Sequence, residues 1–304
     1  MTYKARAYAK VNLHLEVLNK RSDSYHNIFS LNASLDLFDR LTFKRLNISN
    51  NKLKDIVIDI RPDGGEYADI IQSIATEDNL ITKAVKTYLN RIGKSGEFLI
   101  HIEKNIPAGA GLGGGSSDAA AALRLLNNFF IKSNEGLLET ELLWLGASLG
   151  ADIPYCLSGG FAICEGIGDI VNKVDGKLNY WILAANCGII VNTGKAYNAL
   201  KRDSKIIIGE TELEKKKKLF KEGIKKGNIE NFKDILKNDF EEPVFSEHNI
   251  LKNLKNEIGE FKPEYVTMTG SGSTIIGIFK DKRNIEKALE RLSKKAKVII
   301  TKFL

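Results

Sequence analysis

The chain has 304 residues, 43% of them hydrophobic, and a formal net charge of +7. This length and hydrophobic content can bury a substantial core and predict roughly two domains. No stretch is apolar for long enough to cross a bilayer, and no basic region precedes an apolar signal core at the N-terminus, so we expect a cytoplasmic protein with no membrane partner. The three cysteines are too few and too scattered for a disulfide framework or a metal site, and they are expected to be reduced core residues.

The positive charge permits two interpretations, because clustered lysines bind nucleic-acid phosphates and also suit a polyanionic small substrate. Much of the excess lies where charged residues surround Leu213, Leu219 and Phe220 in a helical register. The charged residues of this segment are Glu214, Lys215, Lys216, Lys217, Lys218 and Lys221. A solvated helix face is the favoured interpretation.

Hydrophobic periodicity predicts mixed helices and strands along the chain. Apolar and polar residues alternate from Ala5 to Val17, which predicts a strand with one buried face. In the N-terminal half, further strands are predicted at 28–37, 40–46, 56–60 and 98–103, and helices at 80–89, 119–129 and 139–149. In the C-terminal half, strands are predicted at 180–185, 265–268, 273–279 and 297–301, and helices at 195–200, 213–226, 229–236, 248–258 and 285–293.

This order of elements predicts an α+β fold in two domains. The Asp175-Gly176 turn signal places the boundary between an N-terminal domain of residues 1–174 and a C-terminal domain of residues 175–304.

A glycine-rich loop follows a predicted strand and opens a predicted helix. Its sequence is Ile106-Pro107-Ala108-Gly109-Ala110-Gly111-Leu112-Gly113-Gly114-Gly115-Ser116-Ser117-Asp118. Glycines permit positive φ and close approach of the backbone, so that several N–H groups can point at one anion, and the helix N-terminus adds further donors. The two serines are expected to cap the helix, and their hydroxyls to reach a phosphate or its metal. The context therefore predicts a phosphate-binding loop.

Other interpretations of this loop are less well supported. A flexible surface loop before a capped helix explains most isolated glycine clusters. Gly109, Gly111 and Gly114 satisfy the dinucleotide GxGxxG pattern, but the acidic residue expected about 20 residues later falls in a loop and not at a strand end. No GxxxxGK[ST] sequence is present, so an ordinary P-loop fold is unsupported.

Three motifs resemble those of the GHMP kinases, named for galactose, homoserine, mevalonate and phosphomevalonate kinases. The loop, with its proline and serine pair, resembles the second motif. The first and third motifs are similar to Ala9-Lys10-Val11-Asn12-Leu13 and Met268-Thr269-Gly270-Ser271-Gly272-Ser273. The resemblance implies a fold with a ribosomal-protein-S5-like N-terminal domain and a ferredoxin-like C-terminal domain, with ATP and acceptor in a cleft between them.

Two further segments indicate which acceptor is phosphorylated. They are Arg21-Ser22-Asp23-Ser24-Tyr25-His26 and Leu149-Gly150-Ala151-Asp152-Ile153-Pro154. The resemblance implies that the acceptor is 4-diphosphocytidyl-2-C-methyl-D-erythritol, an intermediate of non-mevalonate isoprenoid synthesis. Glycine is usual in such enzymes where this chain has Ser24, and a serine there is strained if φ is positive.

The resemblance also implies roles for Asp152 and Lys10. Asp152 takes the proton of the acceptor hydroxyl, while Lys10 orients that carboxylate and offsets developing negative charge. Considered alone, these residues would be interpreted as a turn or helix-end aspartate and a solvent-facing lysine. Asn12 shares a strand face with Lys10 and is a candidate partner of the acceptor hydroxyls, the alternative being an edge asparagine in solvent.

Aromatic residues provide candidates for the cytosine site. The ring of Tyr25 can stack on a base whose edge His26 helps to recognise. The resemblance implies that this base is cytosine and that Tyr197 matches the aromatic residue that closes the other side of the site in the family. Core packing is the alternative for both tyrosines. Asn79 and Lys104 are candidate nucleotide contacts, and Asp118 is interpreted as an acid at a helix N-terminus.

The expected cofactors are ATP and Mg²⁺, although no carboxylate is assigned to the metal. His14, His101 and His248 lack metal-ligand spacing and are expected to be structural or surface residues. Candidate ATP-phosphate contacts are Pro107, Gly109, Gly111, Leu112, Gly113, Gly114, Gly115, Ser116 and Ser117, with Thr269, Gly270, Ser271 and Gly272 in the third motif.

Two other functions remain as alternatives to this kinase. One is a GHMP kinase with another acceptor, and the other is an RNA-binding protein on the S5-like fold, motivated by the basic charge. We expect a small-molecule substrate, no nucleic acid, and a monomer or homodimer.

Overall fold

The computed structural model describes residues 2–51, 54–202 and 210–304. The strands are β1 (Tyr3–Lys20), β2 (His26–Ser49), β3 (Ile56–Pro62), β4 (Ser95–Glu103), β5 (Phe161–Glu165), β6 (Ile170–Val174), β7 (Trp181–Asn186), β8 (Tyr265–Met268), β9 (Ile275–Phe279) and β10 (Lys297–Lys302). The helices are α1 (Asp69–Ser73), α2 (Leu80–Ile92), α3 (Gly114–Ile131), α4 (Glu139–Leu149), α5 (Ile153–Ser158), α6 (Thr193–Ala199), α7 (Glu210–Lys225), α8 (Glu241–Glu247), α9 (Asn249–Gly259) and α10 (Lys282–Leu292). Within the described ranges, no helix is both long and apolar enough to cross a membrane.

The chain divides into two units that are interleaved in sequence. The first comprises the described residues of Met1–Ala9, Leu37–Ala108 and Gly113–Ser158, and the second those of Lys10–Asp36, Gly109–Leu112 and Gly159–Leu304. Strands β1 and β2 therefore contribute residues to both units. The predicted domain boundary at residues 174 and 175 concerns consecutive segments and stays a prediction.

The first unit is built on β4. This strand pairs antiparallel with the C-terminal part of β2 and parallel with β3. Because a parallel pair needs a crossover, the chain between β3 and β4 forms α1 and α2. The buried alanines 119–122 of α3 permit close packing, and the α2 and α3 helices pack together over a core that includes Phe43, Ile100 and Leu126.

The second unit contains an antiparallel sheet with the strand order β10-β7-β9-β8. Helices α9 and α10 pack on this sheet and bury Leu254 and Ile285 with Leu183 and Ile275. In the same unit, β5 pairs with β6 and with the N-terminal part of β2.

Most predicted elements are present, with four differences. The two strands predicted at 28–37 and 40–46 form one strand, β2. The helix predicted at 229–236 is wrong, because Phe232 has a φ of −146° and divides the segment into two short 3₁₀ turns. Short elements α1, α5, α8, β5 and β6 were not predicted. Finally, every residue from Ala9 to Val17 is buried, so the prediction of one buried face for β1 is wrong over that stretch.

Candidate active site

The glycine-rich loop has the backbone that its sequence predicts. Gly109, Gly111 and Gly113 have φ values of 64°, 78° and 71°, a region that side-chain-bearing residues rarely occupy. Helix α3 begins directly afterwards, at Gly114, five residues before the predicted start at Ala119. The first N–H groups of a helix have no partner within it, so the loop leads into a set of free backbone donors.

The serines do not cap α3 as predicted. The N-cap position is taken by Gly113, with no side-chain hydrogen bond to the helix. The Ser117 hydroxyl is buried and donates to the Gly114 carbonyl at 2.8 Å, within the first turn. Of the two serines, Ser116 is the one that is only partly buried.

The three motifs meet inside the second unit. The Thr269 hydroxyl accepts from the Asn12 backbone N–H at 3.0 Å and donates to the Gly111 carbonyl at 3.3 Å. The Lys10 N–H donates to the Leu112 carbonyl at 2.9 Å. A Cβ atom at Gly111 would lie 2.4 Å from the Thr269 carbonyl oxygen, so only glycine fits there. Residues about 100, 160 and 260 positions apart are thus joined by short polar contacts.

Asn238 holds the third motif in place and was not predicted. Its side-chain amide donates to the carbonyls of Met268 and Gly270, at 2.7 and 2.9 Å. Ser271 exchanges a hydrogen bond of 2.9 Å with Thr193 at the start of α6. A single asparagine carries no pattern in the sequence, so only the fold reveals this contact.

Lys10 and Asn12 are both 4% exposed, which rules out their interpretation as solvent-facing strand residues. The Lys10 ammonium donates to Asn12 Oδ1 at 2.9 Å. Since an ammonium can only donate, this contact fixes the orientation of the Asn12 amide.

Asp152 belongs to the first unit, in the turn between α4 and α5. It is partly buried, and its carbonyl accepts from the Cys156 N–H at 3.0 Å. The turn position expected for Asp152 from sequence alone is thus correct, and its chemical role stays a prediction.

Lys104 and Asp118 form a buried ionic cluster with Asp39 in the first unit. The Lys104 ammonium contacts both carboxylates, and it lies 2.9 Å from Asp118. Asp39 also accepts from the N–H groups of Asn105 and Ile106, at 2.5 and 2.8 Å. The interpretation of Asp118 as a helix-terminal acid is wrong, because it lies in the fifth position of α3 and pairs with a lysine.

The cluster contains two carboxyl groups and one ammonium. Burial raises the pKa of Asp118 well above its usual range, and Asp39 adds to the effect against the opposing influence of Lys104. Burial alone would lower the pKa of Lys104, but the two carboxylates outweigh it and the pKa is raised. A Cβ at Gly114 would lie 3.0 Å from the ammonium, so this charge sits beneath the first residue of α3.

The cytosine-site candidates differ in burial and in the rings that they contact. His26 is buried and stacks on Tyr197, with ring centroids 5.0 Å apart and an interplanar angle of 22°. Tyr197 also makes an edge contact with Phe240. Tyr25 is 61% exposed. Asn79, the nucleotide candidate, caps α2 by accepting from the Ile81 N–H at 2.9 Å.

Ser24 has a φ of 71°, which confirms the strain expected for serine at this position. A left-handed backbone conformation costs about 1–2 kcal/mol for a residue with a side chain. Glycine avoids this strain but loses more conformational entropy on folding, which costs about 0.5–1 kcal/mol. We therefore expect Ser24→Gly to raise the free energy of unfolding by about 0.5–1 kcal/mol. Urea unfolding measures this, with Ser22→Gly in the same turn as the control. A loss of stability in Ser24→Gly would contradict the assignment of strain.

A second charged cluster surrounds His14 on the polar face of β1. Glu16 lies 3.3 Å from His14 Nε2 and pairs with Lys216 and Lys237, each at 2.8 Å. The Lys216 side chain is only 13% exposed, so the prediction of a wholly solvated α7 face is wrong at this lysine. The Lys237 backbone N–H donates to His14 Nδ1 at 3.3 Å, which requires that nitrogen to be unprotonated.

This arrangement makes stability depend on pH. Burial lowers the pKa of His14 from 6.5, and both lysines lower it further against the effect of Glu16. Below pH 6.5, His14 therefore binds a proton in the unfolded chain but resists protonation in the folded chain. The free energy of unfolding then falls on acidification, by at most about 1.4 kcal/mol per pH unit. Urea unfolding between pH 8 and pH 5 should show this slope reduced in His14→Gln but retained in His248→Gln. An unchanged slope in His14→Gln would contradict it.

No group of three or more His, Cys, Asp or Glu side chains in the described ranges could hold a metal ion. Cys156, Cys164 and Cys187 all lie in the described ranges and form no disulfide; Cys164 is buried, and the other two are partly buried.

Two family models match the chain. The GHMP kinases N terminal domain matches residues 79–160, and the GHMP kinases C terminal domain matches residues 220–298. With the converging motifs, these matches define a GHMP kinase.

Relatives with a more specific name cover almost the whole chain. The 4-diphosphocytidyl-2-C-methyl-D-erythritol kinase of Caldicellulosiruptor bescii is 36% identical over 98% of this chain and 96% of its own length. The protein of the same name in Clostridium botulinum is 33% identical and covers 95% of both chains. The chain belongs to the 4-diphosphocytidyl-2-C-methyl-D-erythritol kinase family, as its motifs predicted.

Solved structures agree with this result. A crystal structure of 4-(cytidine 5'-diphospho)-2C-methyl-D-erythritol kinase has a TM-score of 0.72 at 27% identity, covering 99% of this chain and 98% of the other. Homoserine kinase from Cytophaga hutchinsonii has a TM-score of 0.70 at 17% identity, covers 99% of this chain and 95% of its own, and shares the fold. The predicted α+β GHMP kinase fold is confirmed, and the chain is an ATP-dependent small-molecule kinase.

Proposed function

We propose that the protein transfers the γ-phosphoryl group of ATP to the 2-hydroxyl of 4-diphosphocytidyl-2-C-methyl-D-erythritol. The acceptor oxygen forms a bond to the γ-phosphorus, the bond from that phosphorus to the β,γ-bridging oxygen breaks, and the products are the 2-phosphate and ADP. The observation that carries the proposal is the Thr269 hydroxyl, which joins Asn12 of the first motif to Gly111 of the second. Relatives of this name over nearly the full chain support the acceptor.

The loop at 109–117 binds the ATP phosphates in this proposal. Its positive-φ glycines and the first turn of α3 supply backbone N–H donors, which favour an anion. Mg²⁺ bound with ATP would offset phosphate charge, with the phosphates and water as its main ligands. Among the protein groups of this loop, the hydroxyl of the partly buried Ser116 is the candidate contact for this Mg²⁺.

Asp152 accepts the proton of the acceptor hydroxyl, and Lys10 stabilises the negative charge that develops during transfer. Lys10 suits this role because its ammonium is buried and held by Asn12 at 2.9 Å. A fixed cation in a low-dielectric setting stabilises a transition state without reorganising.

The diphosphocytidyl group binds near Tyr25 and His26 in this proposal. The exposed Tyr25 ring offers a stacking face, while the stacked rings of His26 and Tyr197 present a polar edge. At their present separation of 5.0 Å these two rings leave no room for a base between them. The base therefore meets the outside of this pair.

The proposal is tested by ADP release from the purified protein with 4-diphosphocytidyl-2-C-methyl-D-erythritol, homoserine or mevalonate as acceptor. We expect turnover with the first alone, and a new phosphate monoester resonance in the ³¹P NMR spectrum of its product. Preferred turnover of another acceptor would establish a different GHMP kinase activity. RNA binding that weakens steeply with salt, without any ATP turnover, would support the RNA-binding alternative.

A further inference from the structure

A row of buried polar side chains continues from Lys10 into the second unit. Asn12 Nδ2 donates to Asn32 Oδ1 at 2.7 Å, and Asn32 Nδ2 donates to Cys164 Sγ at 3.4 Å. Lys10, Asn12, Asn32 and Cys164 are 4%, 4%, 2% and 0% exposed. The row thus links β1 through β2 to β5, with little access to water.

The direction of these hydrogen bonds is set at the Lys10 end. An ammonium group cannot accept a hydrogen bond, so the Asn12 carbonyl oxygen must face the Lys10 ammonium. The Asn12 amino group must therefore face away from it. That amino group needs an acceptor, which is the carbonyl oxygen of Asn32. The amino group of Asn32 then faces the weakly accepting Cys164 sulfur.

We propose that Asn32 is a positioning residue for the kinase reaction, acting through Asn12 on the Lys10 ammonium. The proposal rests on the proposed function of Lys10. Asn32 lies outside the three motifs, and its side chain bonds to Asn12 and Cys164. Its part is to hold the Asn12 amide in the one orientation that presents an oxygen to Lys10.

Removing the Asn32 oxygen should misplace Lys10. In Asn32→Leu, the Asn12 amino group is buried without its acceptor, so the amide rotates and Lys10 loses its hydrogen bond to Asn12 Oδ1. A displacement of this kind is expected to lower kcat about 10- to 100-fold while the KM for ATP changes less than about twofold. If Asn32→Leu does not fold, Asn32→Ser is the substitute variant, because the smaller serine leaves room for water. Asn32→Ser should also lower kcat.

Asn32→Asp separates positioning from packing. It keeps an oxygen that accepts from Asn12, gives up the weak contact with Cys164, and adds a carboxyl that burial favours in its neutral form, so it should retain kcat within about fivefold. Asn127→Leu is the matched control, because Asn127 is also a 2% exposed amide, bonded to the Tyr88 hydroxyl and the Leu137 N–H in the first unit. This control should lower stability and leave kcat unchanged.

A double-mutant cycle with Lys10→Met provides the decisive readout. If Asn32 acts through Lys10, then Asn32→Leu should have no further effect on kcat once Lys10 is methionine. If Asn32 has only a structural role, Asn32→Leu should lower kcat by the same factor in the native protein and in Lys10→Met. Equal kcat in Asn32→Leu and the native protein, or an undiminished loss in the Lys10→Met background, would overturn the proposal.

A second readout does not depend on turnover. The ¹⁵Nζ resonance of Lys10, assigned by its absence in Lys10→Met, should shift in Asn32→Leu and stay in place in Asn127→Leu. If the native protein shows no turnover, the proposed function fails while this spectrum still decides the positioning of Lys10. An unshifted resonance in Asn32→Leu would refute the positioning role.

Discussion

Replacing Asp152 with asparagine is expected to lower kcat by about 10²- to 10⁴-fold, with little change in ATP affinity. Asparagine keeps the shape of the side chain but cannot take the acceptor proton. Because the turn between α4 and α5 positions residue 152 through backbone contacts, including the Cys156 N–H, the substitution should leave the fold intact. Steady-state kinetics with both substrates saturating, and calorimetry for ATP, measure the two quantities.

Two further variants complete this test. Lys10→Met should lose kcat by a comparable factor, since it removes the cation that offsets the developing charge. Asp59→Asn is the control, because Asp59 lies on β3 in the same unit, has a side chain that is 48% exposed, and pairs with Arg61. A kcat near the native value in Asp152→Asn would show that another group takes the proton.

Lys104→Met is expected to lower the free energy of unfolding by about 3–5 kcal/mol, because it leaves two buried carboxylates without their shared cation. Asp39 keeps its backbone N–H partners, whereas Asp118 Oδ1 already has no hydrogen-bond partner. The orphaned charge is therefore chiefly that of Asp118. Adding Asp118→Asn to Lys104→Met should recover part of the loss.

The loss should also depend on pH. Since the pKa of Asp118 is raised in the folded protein, acidification supplies a proton that neutralises this carboxyl, and the loss should be smaller at pH 5 than at pH 8. Urea unfolding at both values gives the comparison. Lys86→Met is the control, because its surface pair with Glu77 is partly exposed and is expected to contribute less than about 1 kcal/mol. Similar losses in the two lysine variants would contradict the account.

The sequence predicts the fold well where the hydrophobic periodicity is strong or where glycines mark the end of an element. Alternation gives β1, a helical period gives α4 at its observed bounds, and the glycine cluster marks the start of α3. It fails where tertiary contacts override local pattern. The sequence predicts a break between two strands near Asp39, but β2 continues through it, and the Asp39 carboxylate there accepts hydrogen bonds from Lys104 and two backbone N–H groups.

The residues of the candidate site likewise include some that the sequence predicts and others that only the fold reveals. The glycine loop is recognisable from residues alone, because positive φ and a helix start have sequence signatures. Lys10 and Asp152 could be selected only by resemblance, since one lysine or aspartate carries little information. The contacts of Lys104 with residues 65 and 14 positions away, and those of Asn32 and Asn238, depend on the fold and leave no pattern in the chain.

The central claim is that this kinase recognises a cytidyl acceptor. The most direct test is a competition in one tube between 4-diphosphocytidyl-2-C-methyl-D-erythritol and its uridyl analogue, because the product ratio gives the ratio of kcat/KM values. Uracil replaces the cytosine amino donor with a carbonyl acceptor, which leaves a polar group mispaired at the site. We predict at least about 100-fold preference for the cytidyl acceptor. Equal phosphorylation of the two acceptors would contradict the account.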